Sequence, residues 1–507
     1  MSLNAALSIA SSGLANINQQ LALISQNVAN AGTPAYAVET LGQQSMTAGG
    51  QPMGVATGVA TANIDAALES QVFSGNASAS ALQTTTNALS AIDSVMGTPG
   101  SGADLGSLVT NLENTFSTLA TDPSNATQQQ AVVQSATTLA NGITTLSGAY
   151  TTGRQNAENA IVTAVGSVNA SLAEIGTVSN QITSLKAQGK STADLENQRS
   201  QQMQTLSSLL DVKFVPEASG GMLVFTASGT ELPTVGASTL SVAAATIGPE
   251  ATYPGGIAPI MLGGVDVTNQ LTGGSLGANI VLRDQALPDY QAGLDEFSEN
   301  LATRFAAQGL TLFTNGSGAV PAGGGSPVQA GYVGFASEIE VNPAVRANPA
   351  LVRDGTNAIA GSPTGASSFT PNPPGGPAGF STLAMRVLNY TFGADVQAGV
   401  SQPAPNTAGL GPLGNLALPF AAPDTPTDFA AALVGQEGND SADASGGLTT
   451  AQAMQTALTN QLTATSGVSI DQQMSQMVAL QNSYGANARI IAAVQAMVTE
   501  LLNAVPG

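Results

Sequence analysis

Leu3, Leu7, Ala10, Leu14, Ile17, Leu21, Ile24 and Val28 follow one another at alternating spacings of four and three residues. An apolar stripe with that period is the seam of a coiled coil, here on a helix whose other positions are mostly Ser, Asn and Gln. Gly32 can take the left-handed conformation that caps a helix, and Pro34 cannot continue one. The spacing therefore predicts a helix ending near Asn30, roughly 40 Å long. A second such element stands at the other end. Ser469 with Gln472 reads as a capping box. Behind it lie Ile470, Met474, Met477, Leu480, Tyr484, Ala488, Ile491, Val494, Val498, Leu501 and Val505, with phase slips near Leu480 and Ile491. Single-striped helices need a partner to bury their seam. The simplest partner for each is the other, which predicts an inner stalk of paired N- and C-terminal coiled-coil helices. An ordinary bundle with its termini in the core fits the same periodicity, and periodicity alone leaves both open.

Histidine and cysteine are both absent. That removes the commonest general base and zinc ligand, and with them a Ser-His-Asp triad, a Cys-His pair and a His-ligated zinc. No catalytic, cofactor-binding or metal residues are expected, so the chain does not read as an enzyme. A lack of cysteine fits export without a disulfide step and equally fits a cytosolic chain. The net charge of -21, with only 11 Lys and Arg, disfavours nucleic acid and anionic membranes. Charged residues make up only 8% of the chain, so its wetted surface is built from Ser, Thr, Asn, Gln and Gly. Such a surface suits burial among neighbours in an assembly, or a neutral-surfaced soluble domain.

Met1 to Val38 holds no charged side chain, so no positive region precedes an apolar stretch as in a cleaved signal peptide. No apolar run approaches the about 20 residues of a membrane span, and no membrane insertion is expected. Export, if it occurs, reads some other signal.

The expected organisation is mainly α with a β insertion. A stalk helix and a following connection occupy 1–70, and a helical body occupies 71–212. A β hairpin and strand region covers 213–270, with strands at Lys213–Val215, Met222–Thr226 and Ile260–Val267. The helical body returns over 271–314. A Gly/Pro-rich outer β domain or a disordered linker covers 315–440, and the C-terminal helices of body and stalk cover 441–507. Glu196 and Arg199 read as a surface ion pair rather than acid/base chemistry. Neither Arg283-Asp284 nor Asp295-Glu296 has the spacing of a metal or glycosidase pair.

Gly13-Leu14-Ala15 followed by Asn27-Val28-Ala29-Asn30-Ala31-Gly32-Thr33-Pro34-Ala35-Tyr36 resembles the amino-terminal motif of the rod, hook and hook-associated proteins of the bacterial flagellum. Ala35 stands where that family carries glycine, and alanine tolerates a positive φ poorly. Further segments resemble the first hook-associated protein family, FlgK. They include Met96-Gly97-Thr98-Pro99-Gly100, Leu105-Gly106-Ser107-Leu108, Asp194-Leu195-Glu196-Asn197-Gln198-Arg199, Gly273-Gly274-Ser275-Leu276-Gly277 and Val341-Asn342-Pro343. Ser466-Gly467-Val468-Ser469-Ile470-Asp471, with Tyr484, Arg489 and Leu501-Leu502, fits the family's carboxy-terminal helix.

The resemblance implies a secreted structural subunit at the hook–filament junction of the extracellular flagellum, exported by the flagellar type III system. Its implied partners are further copies of itself in a ring, the hook protein, a second junction protein, and an export chaperone on the C-terminal helix. The assembly interface would be Leu3, Leu7, Leu14, Ile17, Leu21, Ile24 and Val28 with Ile470, Met474, Met477, Tyr484, Ile491, Val498 and Leu501. The rival readings are a hook or rod axial protein, a secreted surface adhesin, and a wall-cleaving enzyme of the flagellar apparatus.

Overall fold

A computed structural model describes residues 3–48, 50–97 and 102–504. The Thr98-Pro99-Gly100 connection and Val505 of the C-terminal stripe lie outside the described residues. The first helix, α1 (Leu3–Ala29), leads through a turn into a long antiparallel hairpin, β1 (Glu39–Ala48) and β2 (Gln51–Ala62). Four helices follow: α2 (Ala66–Met96), α3 (Leu105–Thr121), α4 (Ala126–Ala187) and α5 (Ala193–Leu209). Each of the first three starts where a side chain accepts an otherwise orphaned backbone N–H, Asp65 at α2, Asp104 at α3 and Asn125 at α4.

Next come the hairpin β3 (Val212–Pro216) and β4 (Met222–Thr226), and a small sheet of β5 (Leu240–Ser241), β6 (Met261–Leu262) and β7 (Val265–Asp266). Helix α6 (Gly274–Val281) passes through a π turn at Leu282–Ala286 into α7 (Leu287–Ala307). The loop-rich segment holds the pair β8 (Phe313–Thr314) and β9 (Glu340–Val341), and the short helices α8 (Pro343–Ala347), α9 (Leu351–Asp354) and α10 (Thr382–Arg386). It ends in two small hairpins, β10 (Asp395–Gln397) with β11 (Val400–Ser401), and β12 (Ala408–Leu410) with β13 (Leu416–Ala417). Helices α11 (Pro426–Ser466) and α12 (Ile470–Asn503) return the chain to α1.

The fold is mainly α with β insertions. Its spine is α4, whose 62 residues extend roughly 90 Å. By length and composition α4 is apolar enough to cross a membrane, but half of its most apolar window is buried inside this fold. One core gathers α3, the first half of α4, α7 and the 310–434 region. A second gathers the far half of α4 with α5, α6 and strands β3 to β6.

The Gly/Pro-rich segment is no loose linker. Phe335, Val345, Val352, Leu383 and Val387 have no solvent exposure and share the core of α3, α4 and α7. Asp295 of α7 accepts the backbone N–H groups of Gly334 (2.8 Å) and Ala336 (2.9 Å), and Glu296 accepts Tyr332 (2.5 Å) and the N–H of Asn406 (2.6 Å). These carboxylates thus serve as backbone partners for irregular chain, which has no ladder of its own to satisfy it. Arg283 is wholly buried between Glu158 (2.6 Å) and Asp284 (2.7 Å). Arg199 donates to the carbonyl of Gly220 (2.9 Å), tying α5 to the turn of the β3–β4 hairpin rather than pairing with Glu196. The C-terminal helices expected over 441–507 start earlier than that, since α11 begins at Pro426, inside the segment read as the Gly/Pro-rich outer domain.

Candidate assembly interface

The two terminal helices pack against each other. Gly13 lies against the Asn487 side chain, where a Cβ would stand 3.3 Å from its nitrogen, and Asn27 donates to Gln473 (3.2 Å). Residues early in α1 therefore meet residues late in α12, and the pair is antiparallel.

In α1 the expected seam is covered throughout. Ile17 and Ile24 are buried, and Leu3, Leu7, Leu14, Leu21 and Val28 are half-buried. In α12 the covered series is Gln473, Met477, Leu480, Asn487, Ile491 and Val494. With Tyr484, Val498 and Leu501 this series alternates four and three residues from Gln473 to Leu501 with no slip. Apolar spacing alone stepped over the polar members Gln473 and Asn487 to Met474 and Ala488, and so produced two false phase shifts. Ile470, Met474, Tyr484, Val498 and Leu501 remain exposed, whereas Met477 and Ile491 are half-buried.

The opposite face of α1 carries the β1–β2 hairpin through polar contacts. Buried Asn16 donates to Thr57 (2.9 Å) and accepts from Gln43 (3.0 Å), and Ser12 accepts the N–H of Val55 (3.2 Å). Gly54, at φ 143°, sits so close to Ser12 that no Cβ would fit.

Below the pair, Ala37, Val38 and Glu39 form a joint with the body. Asn197 of α5 accepts the N–H of Ala37 (2.9 Å) and donates to its carbonyl (3.2 Å) and to the Glu39 carboxyl (3.1 Å). The N–H of Val38 donates to the carbonyl of Ser466 at the end of α11 (2.7 Å). Asn27 of α1 accepts the N–H of Glu39 (3.0 Å) and donates to its carbonyl (2.9 Å). Three consecutive residues are thus held by three elements distant in sequence.

Tyr36 donates to Asn27 (3.1 Å), and Gln26 donates to Asp194 of α5. Burial, reinforced by the neighbouring Asp194 charge, pushes the Glu39 carboxyl up to about 7. Burial and the Glu39 and Asp194 charges likewise push the Tyr36 phenol up, so it stays a donor. Asn27 and Asn197 both stand in the motifs quoted above. Their shared role was invisible because it depends on a contact between chain segments far apart.

Residues 89–319 match the flagellar hook-associated protein FlgK helical domain, and residues 459–504 match the flagellar basal body rod FlgEFG protein C-terminal region. No curated protein matches the chain at comparable significance. A solved structure, the flagellar hook junction protein FlgK from Burkholderia pseudomallei, is similar at 24% identity with a TM-score of 0.41. The likeness covers 50% of this chain and 45% of that one, so the chain spans under half the length of that relative.

Proposed function

We propose, because this chain belongs to the FlgK family of flagellar hook-associated proteins, that it is a subunit of the junction between hook and filament. The family is structural, self-associating and extracellular. For this chain the finer reading is a ring assembled through the terminal helices, after export by the flagellar type III system with a chaperone on α12.

One observation carries the assembly reading: α12 is apolar on both flanks of its covered seam. At about 100° per residue, Met474 and Val478 lie on one flank, and Ile490 and Met497 on the other, while Ile470 extends the seam itself. These four flank residues are all exposed in the single chain. A helix with two separate apolar flanks engages a different neighbour on each, and head-to-tail contacts of this kind generate rings or tubes. The outer contacts of the stalk, Leu3, Leu7, Leu14, Leu21 and Val28 with Val498 and Leu501, would be completed by those neighbours, the hook protein below and the second junction protein above.

The rod-type C-terminal match keeps a hook or rod position as the second reading. The FlgK helical domain, which spans the body, favours the junction. Electron microscopy of cells lacking this protein, with an assay for flagellin in the medium, separates the two. Bare hooks with shed flagellin support the junction, missing hooks move the protein into the hook or rod, and intact filaments reject both.

A further inference from the structure

Helix α11 is the strut between body and stalk, and its middle is poorly suited to stand alone. Gly435, Gly438, Gly446 and Gly447 interrupt it, each costing about 1 kcal/mol of helix preference relative to alanine. From Glu437 to Ala444 its buried side chains are those two residues alone. Polar contacts must therefore do much of the docking. Ser441 donates to Asp93 of α2 (2.5 Å), and Tyr290 of α7 donates to Asp440 (2.7 Å). Tyr150 of α4 donates to one oxygen of Glu437. The other Glu437 oxygen is buried without a partner, in a residue 3% exposed.

An ionised carboxylate in that position would be short of donors and surrounded by charge of its own sign. The groups that face it are Asp93 from α2, Tyr150 from α4, Tyr290 from α7 and Asp440 from α11 itself, and none is basic. A neutral carboxylic acid loses far less by burial with one oxygen unpaired. Burial, followed by the Asp93 and Asp440 charges, pushes the carboxyl up to about 8.

We propose that α11 is a proton-dependent strut. With Glu437 protonated, residues 435–447 dock on α2, α4 and α7, and loss of that proton releases them. The stalk would then be joined to the body less rigidly in an alkaline medium.

Hydrogen exchange of the full chain, normalised to intrinsic rates, tests this at about pH 6 and about pH 9. Protection of 435–447 should fall by up to about a hundredfold over that interval, against little change in α4. Glu437→Gln should remove the dependence. Asp440→Asn, at an exposed site and still able to accept from Tyr290, should move its midpoint to lower pH. Wild-type protection that ignores pH overturns the proposal, as does Glu437→Gln protein that still responds. Should Glu437→Gln fail to fold, the Asp440→Asn midpoint decides: a downward shift supports the proton on Glu437, and an unmoved midpoint assigns the response elsewhere.

Discussion

Asn27 and Asn197 present their carboxamides to the same three-residue segment, Asn197 closing on the peptide groups of Ala37 and Asn27 on those of Glu39. Each side chain mimics a neighbouring β-strand, matching an acceptor to an N–H and a donor to a carbonyl. The terminal coil and the helical body are thereby joined through the short segment that leads into β1.

Replacing either asparagine with alanine leaves buried backbone groups unpaired, and each single variant should lose about 1–3 kcal/mol. Because both grip one segment, the double variant should lose less than the sum. Urea midpoints of the four proteins measure this. Strict additivity would mean that the clamps work independently and the joint is not one unit.

Ala35 is the one non-glycine residue with a positive φ among the described residues, at 59°. The Cβ clash of that conformation costs about 1–2 kcal/mol, partly offset by the greater unfolded-state freedom of glycine. Ala35→Gly should thus stabilise the protein by about 0.5–1 kcal/mol, read as a higher urea midpoint. An unchanged or lower midpoint would show that the surrounding turn has adapted to the alanine.

The Glu39 carboxyl stands at about 7 in the folded protein, above the ordinary glutamate value. A raised folded value means that the folded state holds the proton more tightly. The associated stability is fully present below the unfolded value, about 4.3, and is lost as pH rises through about 7. Glu39→Gln, neutral throughout, should flatten that part of the stability profile. Parallel wild-type and variant curves between those limits would exclude Glu39 as the titrating group.

How much of this was readable from the chain depended on how local each signal is. The α1 seam was legible because each of its positions carries an apolar side chain, while α12 was misphased because Gln473 and Asn487 occupy seam positions. The β1–β2 hairpin lies over a stretch expected to be a plain connection: β1 lacks the β-branched alternation that marks a strand, whereas β2 carries it at Val55, Thr57, Val59 and Thr61, a signal that expectation passed over. The hairpin's Gly, Gln, Ser and Thr positions pair because α1 offers Asn16 and Ser12 to hold them. The 315–440 segment looked loop-rich by composition, and as far as Thr425 it is. Its core contacts come from isolated residues such as Phe335, Phe369 and Phe392, which carry no periodicity.

The stalk reading makes a sharper demand on α12 than loss of motility. Val494 is 4% exposed in the single chain, whereas Val498, one step along the same seam, is 39% exposed. An aspartate at 494 must desolvate against α1, so Val494→Asp should weaken the intrachain pair by several kcal/mol and increase proteolysis of both termini. Val498→Asp and Leu14→Asp place the charge where a neighbour should close the surface. Both should leave the body's urea midpoint unchanged yet abolish junction assembly and motility. If cells carrying Leu14→Asp and Val498→Asp swim normally, neither residue lies in an intersubunit seam, and the terminal coil serves only to hold its own chain together.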